Sequence, residues 1–340
     1  MPVGVNPDEL ELVLSGLRRL DAPQVRLSVP PERLGGGFWA EMWLLQLDDH
    51  GPQLPTLAVL RLAPDPRLAA WETAVQRGVA EQNYPTPAIL ASGDATPTTR
   101  FWSVMEHAGG QPLLAGLSGV SALAKLPRLA RALPVQLASC MAALHALDAT
   151  PIEETLIAIA GHQAGGVAGL LDHYGDRARL LNDTALIKAV EDLARTCAPV
   201  DRRVVCHGDL HPFNILNNDG ALTVLDWTAA RVADPAYDVA FTALLLANPP
   251  LSAPAALQPI ISKAGRVLSR RFIRAYRAMT GGIGPDDTSL EWHTKLHATR
   301  ILLDITEWRT AGVLEHHRGH PWLAMENVVR RALDRRTAAA

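Results

Sequence analysis

The sequence predicts an α+β protein in which a small antiparallel β-sheet with one helix precedes a larger, mainly helical region. Short apolar runs bounded by glycine and proline are concentrated before residue 107, whereas apolar residues after residue 108 recur mostly at the spacing of helices. Strands followed by helices, rather than alternating with them, are typical of this class. We therefore expect an N-terminal lobe at 1–107 and a C-terminal lobe at 108–340.

Composition and charge indicate a cytoplasmic globular protein. The 340 residues are 48% apolar and 20% charged, which are values of globular proteins. The net charge of −3 indicates neither a nucleic-acid partner nor a polybasic contact with a membrane. The N-terminus lacks the pattern of a signal peptide, and the longest apolar run, 239–247, is too short to span a bilayer. Three irregularly spaced cysteines favour free thiols in a reducing cytosol over disulfides or a zinc site.

The N-terminal lobe contains a glycine triplet, Gly35, Gly36 and Gly37, between its first two predicted strands. Glycines in such a turn allow backbone N–H groups to approach phosphates closely. The alternative is an ordinary hairpin turn. Helices of this lobe are predicted at Pro7–Leu20 and Ala69–Gln82. Strands are predicted at Val25–Val29, Trp39–Leu47, Thr56–Leu62 and Phe101–His107.

The C-terminal lobe is predicted to be helical outside one short hairpin. A glycine-rich break at 161–169 interrupts the helical stretch Thr150–Leu181, and His145 is expected to be a packed helix residue. Helices are predicted at Leu133–Leu147, Thr150–Leu181, Val239–Leu246, Ile260–Met279 and Leu290–Thr310.

The most informative segment is His207-Gly208-Asp209, which is followed by Asn214 five residues after the aspartate and by Asp226 twelve residues after the asparagine. Phosphoryl transfer is catalysed mainly by positioning and charge neutralisation. A kinase-type site needs a carboxylate near the attacking hydroxyl, together with an amide and a second carboxylate that hold magnesium on the nucleotide phosphates. The alternative is that these are ordinary turn residues, but it leaves their joint spacing unexplained.

A predicted β-hairpin relates the two candidate metal ligands. Asp219-Gly220 between apolar runs is a strong signal for a two-residue turn. With that turn, Asn214 lies opposite Leu225 and beside Asp226. Two protein ligands suffice for magnesium, which keeps waters and phosphates as its other ligands.

These motifs, together with Asp234-Pro235-Ala236-Tyr237-Asp238, resemble the aminoglycoside phosphotransferase and choline-kinase-like family of small-molecule kinases. The resemblance implies a bilobal protein-kinase-like fold that binds ATP, with GTP as the alternative, and Mg²⁺. It implies that Asp209 is the catalytic base or the acid that orients the acceptor hydroxyl, and that Asn214 and Asp226 are the metal ligands. The backbone at Glu106 and His107 would bind adenine, and the glycine triplet would cover the phosphates. Asp238 is expected to cap the following helix.

The chain departs from the kinase pattern in its N-terminal lobe. Kinases hold the nucleotide phosphates with a lysine that pairs with a glutamate on the next helix. No lysine precedes Lys125, and Arg61 occupies the matching strand, eleven residues before Glu72. Arginine can bind phosphate through two parallel hydrogen bonds. We therefore expect Arg61 to take the place of the lysine, to bind the phosphates and to form an ion pair with Glu72. The alternative is that Arg61 is a solvated charge at a strand end.

The acceptor is expected to be a small molecule with a hydroxyl group, and several classes remain open: an antibiotic-like natural product, a sugar or a hydroxyacyl compound. Asp304 and Glu307, near Trp308, could line its site or form a solvated helix face, whereas His293, His297 and Arg300 make that helix less acidic. A protein kinase is disfavoured because no Ala-Pro-Glu element follows Asp226. The non-enzyme alternative is a nucleotide-binding pseudokinase. His316, His317 and His320 lack the spacing of a metal site.

Overall fold

A computed structural model describes residues 5–35, 40–95, 100–115, 120–161, 166–197, 202–249, 258–318 and 320–334. The chain divides into two compact units. Unit 1 comprises Met1–Leu113, Thr150–Ala160 and Phe213–Ala230, and unit 2 comprises Leu114–Ala149, Gly161–Pro212 and Arg231–Ala340. The lobe boundary near residue 108 stays a prediction, and unit 1 includes two segments from later in the chain.

Unit 1 is built on a six-stranded antiparallel sheet. Its strands are β1 (Arg26–Leu27), β2 (Glu32–Leu34), β3 (Glu41–Asp48), β4 (Leu57–Ala63), β5 (Ile89–Ala95) and β6 (Arg100–Glu106). The strand order is β1-β3-β4-β6-β5, and β2 pairs with β3. All but the first residue of β4 are buried, which suits a central strand covered on both faces.

Three helices belong to unit 1: α1 (Pro7–Arg18), α2 (Pro66–Glu81) and, from a later segment of the chain, α4 (Thr150–Ala160). Asn6 caps α1, because its side chain accepts a hydrogen bond from the backbone N–H of Asp8. Asp65 caps α2 in the same way, and proline follows each cap at the first helical position. The local sequence therefore determines where both helices begin.

A second, three-stranded sheet in unit 1 contains the predicted hairpin. Its strands β7 (Gln111–Pro112), β9 (Ile215–Asn218) and β10 (Ala221–Val224) have the order β10-β9-β7. The turn residues Asp219 and Gly220 have φ angles of 49° and 101°, which suit the right-handed twist of a two-residue hairpin. The hairpin prediction is confirmed.

Unit 2 is mainly helical, with a two-stranded antiparallel sheet of β8 (Val204–Cys206) and β11 (Arg231–Ala233). A sheet-containing N-terminal region and a helical C-terminal region confirm the predicted α+β class. Among the described residues, no helix combines the length and apolarity needed to cross a bilayer. The helices of unit 2 are α3 (Val120–Leu144), α5 (Gly166–Leu180), α6 (Thr184–Arg195), α7 (Ala236–Ala247), α8 (Gln258–Met279), α9 (Asp287–Thr310), α10 (Pro321–Asp334) and a 3₁₀ helix (Leu314–His317).

Three helices differ from the sequence prediction. Helix α3 begins at Val120, thirteen residues before the predicted start at Leu133. Helix α6 was not predicted, although Asp183 caps it and its buried residues Leu186, Val190 and Leu193 have helical spacing. Helix α7 begins at Ala236, so Asp238 lies inside its first turn, and the helix has no side-chain cap. The prediction that Asp238 caps this helix is therefore wrong.

Candidate active site

The open end of the hairpin in unit 1 brings the two candidate metal ligands together. Val224 pairs with Ile215 in the ladder, and the N–H of Leu225 donates to the carbonyl of Asn214 at 2.8 Å. Asp226 is the next residue, it is exposed, and its φ of 65° lies in the left-handed region that aspartate tolerates better than most residues. The arrangement agrees with the register expected from the sequence.

Trp227 anchors the backbone beside Asp226. Its side chain is fully buried, and its Nε1–H donates to the hydroxyl of Thr86 at 2.9 Å. The same hydroxyl donates to the carbonyl of Val224, and the Tyr84 ring meets the indole edge-on at 5.8 Å. An anchor of this kind limits the conformations that the exposed Asp226 can adopt.

Arg61 and Glu72 form an ion pair, with Nη2 of the arginine 2.6 Å from Oε2 of the glutamate. Both residues are buried, so Arg61 is not a solvated strand-end charge. The hydroxyl of Thr228 links Glu72, at 3.2 Å, to Asp226, at 2.6 Å. The pair therefore lies in one hydrogen-bonded network with a candidate metal ligand, and its role toward a nucleotide stays a prediction.

The environment of Glu72 raises the pKa of its carboxyl above the ordinary value. Burial raises the pKa of this carboxyl to about 7, because the lowering effect of Arg61 is smaller and the negative charge of Asp226 adds to the rise. A cation near Asp226 would favour the ionised carboxylate. The ion pair is therefore expected to strengthen when positive charge is present at the hairpin end.

The candidate catalytic loop leaves β8 in unit 2 and is held by one buried carboxylate. The N–H of His207 donates to Oδ2 of Asp238 at 2.8 Å, and the N–H of Gly208 donates to Oδ1 at 2.6 Å. Gly208 has a φ of 76°, a conformation that glycine adopts without strain. Asp238 thus fixes the two residues that directly precede Asp209.

A buried histidine completes the surroundings of Asp238. His145 places Nε2 3.1 Å from Oδ2 of Asp238 and Nδ1 2.7 Å from the hydroxyl of Tyr276. Burial alone would raise the pKa of Asp238, but the hydrogen bonds and charges of His145, His207 and Gly208 hold it below its ordinary value. The carboxylate is therefore ionised and fully paired.

His145, Cys206 and Asp238 have the composition of a small metal site, since their ligand atoms lie within 4.8 Å of one another. Burial raises the pKa of the Cys206 thiol well above its ordinary value, so the thiolate that a metal prefers is disfavoured. The Asp238 oxygens already accept backbone hydrogen bonds. This cluster is better explained as support for the loop.

Arg300 contacts the candidate catalytic loop, a contact that was not predicted from the sequence. Its Nη1 donates to the carbonyl of Gly208 at 2.9 Å, and its Nη2 lies 3.6 Å from Oδ1 of Asp209. The buried guanidinium also lies over the rings of Phe241 and Trp322, 5.0 Å from each centroid. The spacing of His293, His297 and Arg300 could have indicated the contact, because these three polar residues share one side of α9 and are buried.

Asp304 and Glu307 of α9 are both paired with Arg177. Nε of Arg177 donates to Oε1 of Glu307 at 2.7 Å, and Nη2 contacts Oε2 at 2.7 Å as well as Oδ1 of Asp304. Nearby, the His317 ring stacks on Trp308 with centroids 4.0 Å apart. Arg177 therefore offsets one of the two negative charges of this acidic pair.

The remaining predicted site residues lie in unit 1. Gly35 is described, whereas Gly36 and Gly37 lie outside the described residues. Strand β6 ends at Glu106, whose N–H donates to the carbonyl of Ala88 at 3.0 Å, and the exposed His107 follows it. Their roles in nucleotide binding stay predictions.

Comparison with solved structures shows which folds this chain resembles. A Ralstonia eutropha JMP134 protein, assigned provisionally as an aminoglycoside phosphotransferase, is 17% identical with a TM-score of 0.65, over 97% of this chain and 96% of that chain. A thermostable APH(4)-Ia mutant in complex with AMP-PNP and hygromycin B is 19% identical with a TM-score of 0.53, over 90% and 94%. Macrolide 2′-phosphotransferase MphH of Brachybacterium faecium is 22% identical with a TM-score of 0.50, over 91% and 96%. At these identities the likeness shows a shared fold.

Sequence comparison identifies the family. No curated protein sequence matches the chain. The profile of the phosphotransferase enzyme family, APH, matches residues 31–278, which is more than half of the chain. The chain therefore belongs to the phosphotransferase enzyme family, as its motifs predicted.

Proposed function

We propose that this protein transfers the γ-phosphate of ATP to a hydroxyl group of a small molecule. The hairpin supports the proposal, because its register sets the backbone of Asn214 opposite Leu225, the residue that precedes Asp226. Asp209 precedes Asn214 by five residues, so the two Cα atoms are at most about 18 Å apart. In this proposal Asp209 orients the acceptor hydroxyl and accepts its proton.

Asn214 and Asp226 are proposed to hold Mg²⁺. An amide oxygen and a carboxylate are hard oxygen ligands, and the exposure of Asp226 leaves room for waters and phosphates. The ion neutralises charge on the transferred phosphoryl group when it is bound. Arg61 is proposed to bind the phosphates in place of the usual lysine, with Glu72 orienting its guanidinium. The solved relative in complex with AMP-PNP supports ATP as the donor.

We propose an acceptor that is not a polycation. Arg177 pairs with both Asp304 and Glu307, and Arg300 lies beside Asp209, so two arginines offset two of these three negative charges. A polyamine sugar prefers unpaired carboxylates, whereas a neutral natural product, a sugar or a hydroxyacyl compound does not need them.

An acceptor screen tests the proposed function. ADP formation is measured with neutral macrolide-type glycosides, sugars, hydroxyacyl thioesters and aminoglycosides, each with magnesium and with excess chelator. We expect magnesium-dependent turnover with a member of the first three classes and less with aminoglycosides. Magnesium-independent nucleotide binding without turnover on any acceptor would instead identify a pseudokinase.

Replacing Arg300 tests whether it positions Asp209. Arg300→Met removes the bond to the Gly208 carbonyl, and we expect kcat to fall about 10- to 100-fold because small displacements of a catalytic group are costly. The nucleotide Kd should not change, and Arg300→Lys, which keeps the charge, should recover part of the loss. Arg309→Met on the exposed side of the same helix is the control. An unchanged kcat in a folded Arg300→Met variant would rule out the positioning role.

A further inference from the structure

Positive charge is segregated on one part of unit 2. No aspartate or glutamate occurs between Asp238 and Asp286, and helix α8 within this stretch carries six arginines and lysines. Helix α3 packs against α8 and also contains no acid. The net charge of −3 is a sum over the whole chain, so it does not reveal this local excess of positive charge. The expectation of no polybasic contact was based on that sum.

The cations of α8 form a continuous exposed surface, which we call the basic face. Lys263, Arg266, Arg270 and Arg274 are spaced three or four residues apart, so they follow one side of the helix over about 17 Å. The buried residues Gly265, Ser269, Phe272 and Tyr276 define the opposite side. The basic face consists of Lys263, Arg266, Arg270, Arg271 and Arg274, all of which are exposed.

Within the described part of the chain, no residue of the basic face has a carboxylate within ion-pairing distance. Arg271 and Arg274 donate instead to the backbone carbonyls of Ala130 and Arg270. Like charges four residues apart on a helix repel one another. Other exposed arginines of this chain differ, because Arg179, Arg195 and Arg318 each pair with an acid three residues earlier.

The chemistry of the basic face points to a phosphate-bearing surface. Four of its five cations are arginines, whose guanidinium groups bind phosphate in a bidentate manner. The exposed aliphatic residues Ile260 and Val267 lie among them, with 65% and 42% of their surface accessible. The aromatic residues of α8, Phe272 and Tyr276, are buried and offer no surface on which bases could stack.

We propose that the basic face docks on an anionic phospholipid bilayer. Clusters of four to eight cations on a helix are typical of such contacts, and the interspersed aliphatic side chains suit the boundary between headgroups and acyl chains. The contact is peripheral and reversible, because it rests on charge and on two aliphatic side chains. It does not depend on the proposed phosphotransferase activity.

Vesicle co-sedimentation tests the proposal. The full-length protein is mixed with vesicles of phosphatidylglycerol and phosphatidylcholine, or of phosphatidylcholine alone, at increasing salt. We expect binding only to the anionic vesicles, with loss at high salt. Each cation removed should weaken binding about five-fold, so Arg266→Gln/Arg270→Gln/Arg274→Gln should bind about 100-fold more weakly.

The matched control is Arg179→Gln/Arg195→Gln/Arg318→Gln, which changes the net charge equally but leaves the basic face intact. It should bind the anionic vesicles as the unmodified protein does. Equal loss in both triple variants, or equal binding to neutral vesicles, would overturn the proposal. A duplex nucleic acid that binds the basic face and displaces the vesicles at the same salt would overturn it in favour of a nucleic-acid partner.

Discussion

Asp209→Asn is expected to lower kcat by about 10²- to 10⁴-fold, the range that a positioned general base contributes. The amide cannot accept the proton of the acceptor hydroxyl, whereas it has nearly the same shape as the carboxylate. Asp238 holds the preceding backbone of His207 and Gly208, so the loop should keep its conformation. Steady-state kinetics with the best acceptor, together with calorimetric titration of ATP and magnesium, separates turnover from nucleotide binding.

The control for this substitution is Asp219→Asn in the hairpin turn. Asp219 is exposed and has a φ of 49°, which asparagine tolerates at least as well as aspartate. We expect unchanged kcat and unchanged nucleotide affinity in this variant. An Asp209→Asn enzyme with full turnover would show that another group accepts the proton. Weakened nucleotide binding with unchanged kcat would place Asp209 at the nucleotide instead.

The hairpin could be predicted because the information that specifies it is local. Asp219-Gly220 sets the turn, the turn sets the register, and the register places Asn214 beside Asp226. The pairing of Arg61 with Glu72 was expected from the family resemblance and from an eleven-residue separation between a strand and the next helix. Neither case required knowledge of distant packing.

The support of the catalytic loop could not be predicted in the same way. Arg300 reaches the carbonyl of Gly208 across 92 residues of sequence, and Asp238 binds the backbone of His207 across 31 residues. The sequence near Asp238 offers a helix start, which is why capping was the local interpretation. Burial of the carboxylate, and hence its pairing with N–H groups, is decided by tertiary packing.

The acids of α9 illustrate the same limit. Asp304 and Glu307 have the spacing of a shared helix face, and that spacing suits both a binding site and a solvated surface. Arg177, which pairs with both of them, lies on α5 more than a hundred residues earlier. Only the packing of α5 against α9 shows that both acids are paired with an arginine.

Asp238→Asn is expected to lower the free energy of unfolding by about 3–5 kcal/mol, the usual cost of removing one partner of a buried charged group. The amide keeps one acceptor oxygen, but its NH₂ group faces the N–H donor of His207 or Gly208, which is then left buried without an acceptor. Urea unfolding of both proteins measures the difference. Asp234→Asn is the control, because its remaining carbonyl can still accept from the N–H of Ala236.

The pH dependence of this difference identifies its cause. The pKa of Asp238 is below its ordinary value in the folded protein, so the carboxylate stabilises the fold above about pH 4 and that contribution is lost as pH falls through the folded pKa. The stability gap between the unmodified protein and Asp238→Asn should therefore be constant near neutrality and narrow in acid. A gap that stays constant down to the acid transition would mean that packing, rather than the charge of Asp238, holds the catalytic loop.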